Sequence, residues 1–122
     1  MHVAVRAVRG AIQIDSDDRE LLLAGVAELI HAVLDRNQLS ADDLISVFFT
    51  STPDLVAEFP AYAARQAGIT DVPFMCATEI PVPGAMERVV RLMAHVETDR
   101  SRQDIRHVYL RGAAALRTDL PR

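Results

Sequence analysis

Hydrophobic and polar positions along this chain follow two periods, and the switches between them mark out its elements. From His2 to Arg9 the segment alternates and is rich in valine, which predicts a first strand ending near Gly10, with Arg9 at the strand end. Leu22, Val26, Leu29, Ile30 and Val33 then recur at helical spacing. They predict a helix running to Asn37, capped by Ser16 or Asp17, with acidic residues in its first turn. A capped turn over Ser40–Asp43 leads into Leu44–Thr50, too short, β-branched and aromatic for a good helix, and so a central strand. Pro60 suits the first turn of a short helix, Ala61–Ala67, and Gly68 suits its stop. Val72–Thr78 reads as a third strand, with Glu79 where it passes into the turn Pro81-Val82-Pro83-Gly84.

One stretch fits both periods. Met86, Val89, Val90 and Met93 have helical spacing, whereas Val90, Leu92, Ala94 and Val96 alternate. We favour a strand, which puts Arg91 and Met93 on one face and Val90 and Leu92 on the other. A capped turn over Ser101–Arg106 precedes a last strand, His107–Arg111, and Gly112–Leu120 is rich in small residues and then irregular. Strands and helices mix without regular βαβ alternation. The expected class is therefore α+β, a mixed β-sheet with helices packed on one face and another subunit against the other.

Composition narrows the partners. At 122 residues the chain suits one domain, 1–122. Half its residues are hydrophobic, more than so small an interior hides easily, and oligomerisation would absorb the surplus. A net charge of -4 argues against nucleic acid. The single cysteine cannot form an internal disulfide, and no apolar stretch approaches the roughly 20 residues that span a bilayer, so no membrane is expected. Charge interrupts the start before a signal-peptide core develops, which leaves the cytoplasm as the expected compartment.

The basic residues change the picture most. All 13 are arginine, and several interrupt apolar runs: Arg6 and Arg9 near the start, Arg91 within Val89–Met93, and Arg117 after Ala113–Leu116. A GC-rich genome accounts for the missing lysines but not for this placement, which predicts buried guanidinium groups awaiting an anion. The other chemistry is sparse. His2, His31, His95 and His107 are scattered, so no metal is expected; Cys76 has no local base to make it a nucleophile; and no glycine-rich phosphate or dinucleotide loop points to a cofactor. The arginines with Cys76, Glu79 and Tyr109 suit an anionic small molecule with one polar handle. Spacing leaves a functional anion site and structural ion pairs both open.

Ordered blocks over nearly the whole chain carry a resemblance. Arg6-Ala7-Val8-Arg9-Gly10-Ala11, Thr52-Pro53-Asp54-Leu55 followed by Phe59-Pro60-Ala61, Val72-Pro73 with Cys76 and Glu79, Arg88-Val89-Val90-Arg91, Thr98-Asp99, and Ile105-Arg106-His107-Val108-Tyr109-Leu110 resemble the AroH-class chorismate mutases. The resemblance implies a chorismate mutase-like fold, related to the ferredoxin-like one, assembled as a trimer that forms a pseudo-α/β barrel with active sites between subunits. It implies conversion of chorismate to prephenate in phenylalanine and tyrosine synthesis, an intramolecular [3,3] rearrangement that needs no cofactor. Arg91 would meet the substrate's ether oxygen, Arg9 and Tyr109 a carboxylate, and Glu79, supported by Cys76, the ring hydroxyl. Phe59, Ala61, Tyr62, Arg65, Leu116 and Arg117 would wall the pocket or gather its anionic face. Tyr62 stands where a lysine is common in the family, and Met75 where a threonine can occur. Two other readings are a non-catalytic trimer that binds a carboxylate, and an imine or enamine hydrolase of the similarly folded trimeric deaminases, whose characteristic segments are not apparent.

Overall fold

The structure, a computed structural model, describes residues 3–116. Its strands are β1 (Ala4–Gln13), β2 (Leu44–Ser51), β3 (Phe74–Thr78), β4 (Val89–Thr98) and β5 (Val108–Leu110), and its helices are α1 (Arg19–Arg36) and α2 (Pro60–Gln66). The strands form one sheet in the order β3-β2-β4-β1-β5. β4 is antiparallel to both β1 and β2, while β3 runs parallel to β2 and β5 parallel to β1. The sheet is mixed and the class α+β.

The pleat separates two faces. Val8 and Ile12 of β1, Val47 and Phe49 of β2, and Val90, Leu92, Ala94 and Val96 of β4 join one buried cluster with Leu22, Val26, Leu29, Ile30 and Val33 of α1 and Ala61, Ala63 and Ala64 of α2. Both helices therefore cover the same face. Gly10 lets α1 lie close against it, since a Cβ there would meet Leu29 Cδ1 at 3.1 Å and Val33 Cγ2 at 3.3 Å. The opposite face carries Val5, Ala7 and Arg9, Phe48 and Thr50, Met75, and Arg91, Met93 and His95, none of them fully buried. A small second cluster on that face joins Ala11, Val89 and Ala113 to Met86, Tyr109 and Leu116.

The segment of double periodicity is a strand, because its even-numbered side chains enter the core while β1 and β2 flank it. Several boundaries differ from the sequence expectation. β1 continues three residues past Gly10, drawn on by fully buried Ala11 and Ile12 and by pairing to β5, so Arg9 lies inside a strand. Asp18, not Ser16 or Asp17, caps α1 by accepting from the Leu21 amide. Residues after β5 form a 3-10 helix, Arg111–Leu116, as far as they are described. Of the arginines expected to be buried, Arg6, Arg9 and Arg91 are only partly buried, and the Arg91 side chain keeps 44% of its surface.

Two polar clamps fix the sheet's ends. Thr52 Oγ1 donates to Asp54 Oδ1 and accepts from the Val89 amide, and the Asp54 carboxylate accepts from the Arg88 amide. The Thr52-Pro53-Asp54 block thus ties the end of β2 to the start of β4. Asn37, 1% exposed, donates through Nδ2 to the carbonyls of Val33 and Arg106 and accepts through Oδ1 from the Arg106 amide. It joins the end of α1 to the segment that leads into β5. Asn37→Ala strips the Arg106 peptide of both partners, so we expect a loss of about 2–4 kcal/mol in urea unfolding. A loss under about 0.5 kcal/mol, the range of ordinary surface changes, would show that the clamp is idle.

Candidate active site

The open face of the sheet gathers the charged groups by register. Thr50 of β2 lies opposite Arg91 of β4, which lies opposite Ala11 of β1, and Ala11 pairs in turn with Tyr109 of β5. Arg9, two residues before Ala11 in β1, shares its face. A cavity of about 270 Å³ results, lined by Arg9, Phe48, Thr50, Arg91, Met93 and Tyr109, with backbone from Gly10 and Leu92. Its walls are apolar and its polar groups few and convergent, the character of a small-molecule site. Glu79 enters through its neighbours: its Oε2 accepts from Arg91 Nε at 3.1 Å and from Thr50 Oγ1 at 2.7 Å. The Glu79 amide is held by the Ser51 carbonyl at 2.9 Å, which sets the carboxylate just past the end of β3. Arg9 is held from behind, its amide donating to His107 Nδ1 at 2.9 Å.

A second cavity, of about 320 Å³, opens at the ends of β2 and β3. Ser51, Cys76, Ala77 and Thr78 line one side, and Leu55 to Pro60 the other. Cys76 alternates with Met75 and Ala77, so it turns to the helix side and packs against the core, away from Arg91. Phe59 is 68% exposed at this rim. The loop bearing it is pinned at the start of α1: Asp17 Oδ1, just before the cap, accepts from the amides of Val56 and Ala57, and Arg19 donates to Glu58 at 3.1 Å. The Phe59 amide donates to Glu58, and this hydrogen bond, with the Arg19 guanidinium adding to it against partial desolvation, holds the Glu58 carboxyl below the usual carboxylate range. Arg19 is raised in turn, chiefly by its hydrogen bond to Glu58.

The structure thus brings Arg9, Arg91 and Tyr109 to one cavity, with Glu79 bonded to Arg91. Leu116 packs beside Tyr109 in the small second cluster. Phe59 and Cys76 line the other cavity, next to which Ala61 is buried in the core. Tyr62 has the Arg19 guanidinium over its ring at 5.4 Å, and Arg65 lies over Phe74 at 5.9 Å. Neither lines the cavity of Arg91. Arg117 lies outside the described residues. Sequence reasoning passed over Thr50, since a threonine in a β-branched run signals only strand; its hydroxyl gains meaning from the strand opposite.

Comparison with known proteins places these features in a family context. The family described as chorismate mutase type I matches residues 5–120. Chorismate mutase AroH of Thermus thermophilus is 45% identical over 117 residues, covering 95% of this chain and 96% of that protein. Chorismate mutase AroH of Bacillus subtilis (strain 168) is 36% identical over 117 residues, covering 95% and 92%. Among solved structures, a chorismate mutase from Clostridium thermocellum superposes with a TM-score of 0.88 at 44% identity, covering 90% of this chain and 98% of that one.

The Glu58 anchor is testable by pH. Because its folded-state pKa is depressed, its contribution to holding the loop is present above the ordinary carboxylate range and is lost as pH falls through the lowered value. In an acid titration followed by NMR, the Phe59 amide shift is expected to hold steady through the range where free glutamates titrate and to move only below it. A midpoint at the free-glutamate value would remove the anchor.

Proposed function

The chain belongs to the type I chorismate mutase family, and from that premise we propose that the cavity beside Arg91 is where it turns chorismate into prephenate. The observation that carries the reading is the convergence of Arg9, Arg91 and Tyr109 on one apolar cavity, with Glu79 bonded to Arg91. Chorismate is a dicarboxylate with a ring hydroxyl and an ether bond. Its rearrangement is concerted: the carbon–oxygen bond breaks as a carbon–carbon bond forms, and no proton or electron enters or leaves.

Such a step asks for two things, a compact reactant and donors placed where negative charge grows. In this reading Arg91 donates to the ether oxygen, which gains charge as its bond to carbon lengthens. Arg9 and Tyr109 hold a carboxylate, and Glu79 accepts from the ring hydroxyl, with Cys76 in support from the adjoining subunit's cavity. Phe59, Ala61, Tyr62, Arg65, Leu116 and Arg117 complete or edge the pocket. The set supplies orientation and electrostatics, and the reaction needs no cofactor or metal.

The same reading assembles the 1–122 domain as a trimer forming a pseudo-α/β barrel. Support comes from the sheet face away from the helices, where Val5, Phe48, Met75 and Met93 are 58%, 45%, 62% and 39% exposed. A monomer would leave that apolar surface in water. Packing this face against a neighbour lets the Phe59 and Cys76 cavity of one subunit complete the Arg91 cavity of the next. No described helix is long and apolar enough to cross a membrane, and a cytoplasmic setting belongs to the same proposal.

Following prephenate formation from chorismate tests the reading directly. Arg91→Ala is expected to lower kcat and kcat/KM together by about a hundredfold or more, the cost of a lost preorganised donor; unchanged turnover would overturn its role. A charge on the open face, Phe48→Glu, is expected to yield monomers by sedimentation that remain folded by circular dichroism but have lost turnover. Monomers with full activity would sink the shared site.

A further inference from the structure

We infer that Thr50 is a positioning residue that divides the Glu79–Arg91 pair between structure and reaction. The inference rests on the chorismate mutase reading but adds a residue to it. Both protein donors reach one carboxylate oxygen: Thr50 Oγ1 and Arg91 Nε bond to Glu79 Oε2 at 2.7 and 3.1 Å. Among the described residues, none donates to Glu79 Oε1 and no acid pairs with either η nitrogen of Arg91. One oxygen of the carboxylate is therefore used to anchor it, and the other is open to accept a substrate hydroxyl. The guanidinium is likewise held by its Nε edge, with its η edge open for an ether oxygen or a carboxylate.

Left to themselves these two groups have a better option. An arginine and a carboxylate favour two parallel hydrogen bonds, a fork that would draw an η nitrogen and Oε1 into the ion pair. Thr50 opposes that rotation by holding Oε2 from the β2 side. Its position is rigid because it is the register partner of Arg91, and because two heavy atoms on Cβ restrict its rotamer. The hydroxyl acts through Glu79 and Arg91 rather than by touching the reacting atoms.

The expected signature separates this role from packing. Thr50→Val keeps the side chain's shape and is expected to lower kcat roughly tenfold to a hundredfold, in keeping with loss of a hydrogen bond to a charged group, with a smaller change in KM. Thr50→Ser restores the hydroxyl and is expected to recover kcat to within a few fold. In a Glu79→Ala background, Thr50→Val is expected to add nothing. Wild-type kcat in Thr50→Val, an equal loss in the Glu79→Ala background, or a folded Thr50→Ser enzyme that stays slow would each overturn the inference. A crystal structure of Thr50→Val gives a readout free of turnover: Glu79 is expected to rotate into a two-bond fork with Arg91. An unchanged single bond there overturns the role of Thr50 even where chorismate is converted. Failure of the wild-type chain to convert chorismate would sink the enzyme reading instead, and the fork would still decide the geometry.

Discussion

The alternation of β4 is the constraint on which the rest of the molecule depends. This strand is flanked on both sides by antiparallel neighbours, and its pleat sends Val90, Leu92, Ala94 and Val96 into the core while Arg91, Met93 and His95 face away. Burying each large aliphatic chain is worth roughly 1.5–3 kcal/mol. A slip of one residue would exchange that whole row for a charged guanidinium, a histidine and a methionine. Register is therefore set by the core, and the place of Arg91 follows from it without any contact of its own having to decide.

The ion pair at Arg91 contributes little to stability. With 44% of the Arg91 side chain exposed, it belongs with the half-solvated pairs, whose worth is at most about 1 kcal/mol. What it supplies is direction. The Glu79 amide is tied to Ser51 and its carboxylate to Thr50 and Arg91, while the backbone of Arg9 is tied to His107, so the Glu79–Arg91 pair is held from the sheet and Arg9 is fixed at its main chain. A charge-stabilising site works best when its donors need no rearrangement as the reaction proceeds.

The helix face and the open face are linked at their edges rather than through the core. Asp17 and Arg19, at the start of α1, hold the loop that presents Phe59, and Asn37, just past its end, holds the approach to β5 and hence Tyr109. One helix thus steadies segments at both cavities. Its inner surface builds the core, while its termini, where backbone groups lack partners within the helix and polar side chains gather, do the tethering.

Local sequence carried much of this. Apolar spacing made α1 and the strands legible, the Pro60 and Gly68 signals bounded α2 to within a residue or two, and the ordered blocks around Arg9, Glu79, Arg91 and Tyr109 named the family. Where periodicity failed, the reason was distance. β1 runs beyond Gly10 because β5, nearly a hundred residues away, pairs with its end; Asp18 takes the cap because Asp17 is engaged by a loop 39 residues on; and Thr50 matters because Arg91 and Glu79 lie beside it. The arginines show the division most plainly. Their positions in apolar runs signalled that they mattered, but a run cannot tell a buried charge from one on the far side of a pleated sheet. The identity and spacing of these groups were written in the chain. Their exposure, their partners and the cavity they share were decided by which strands came together.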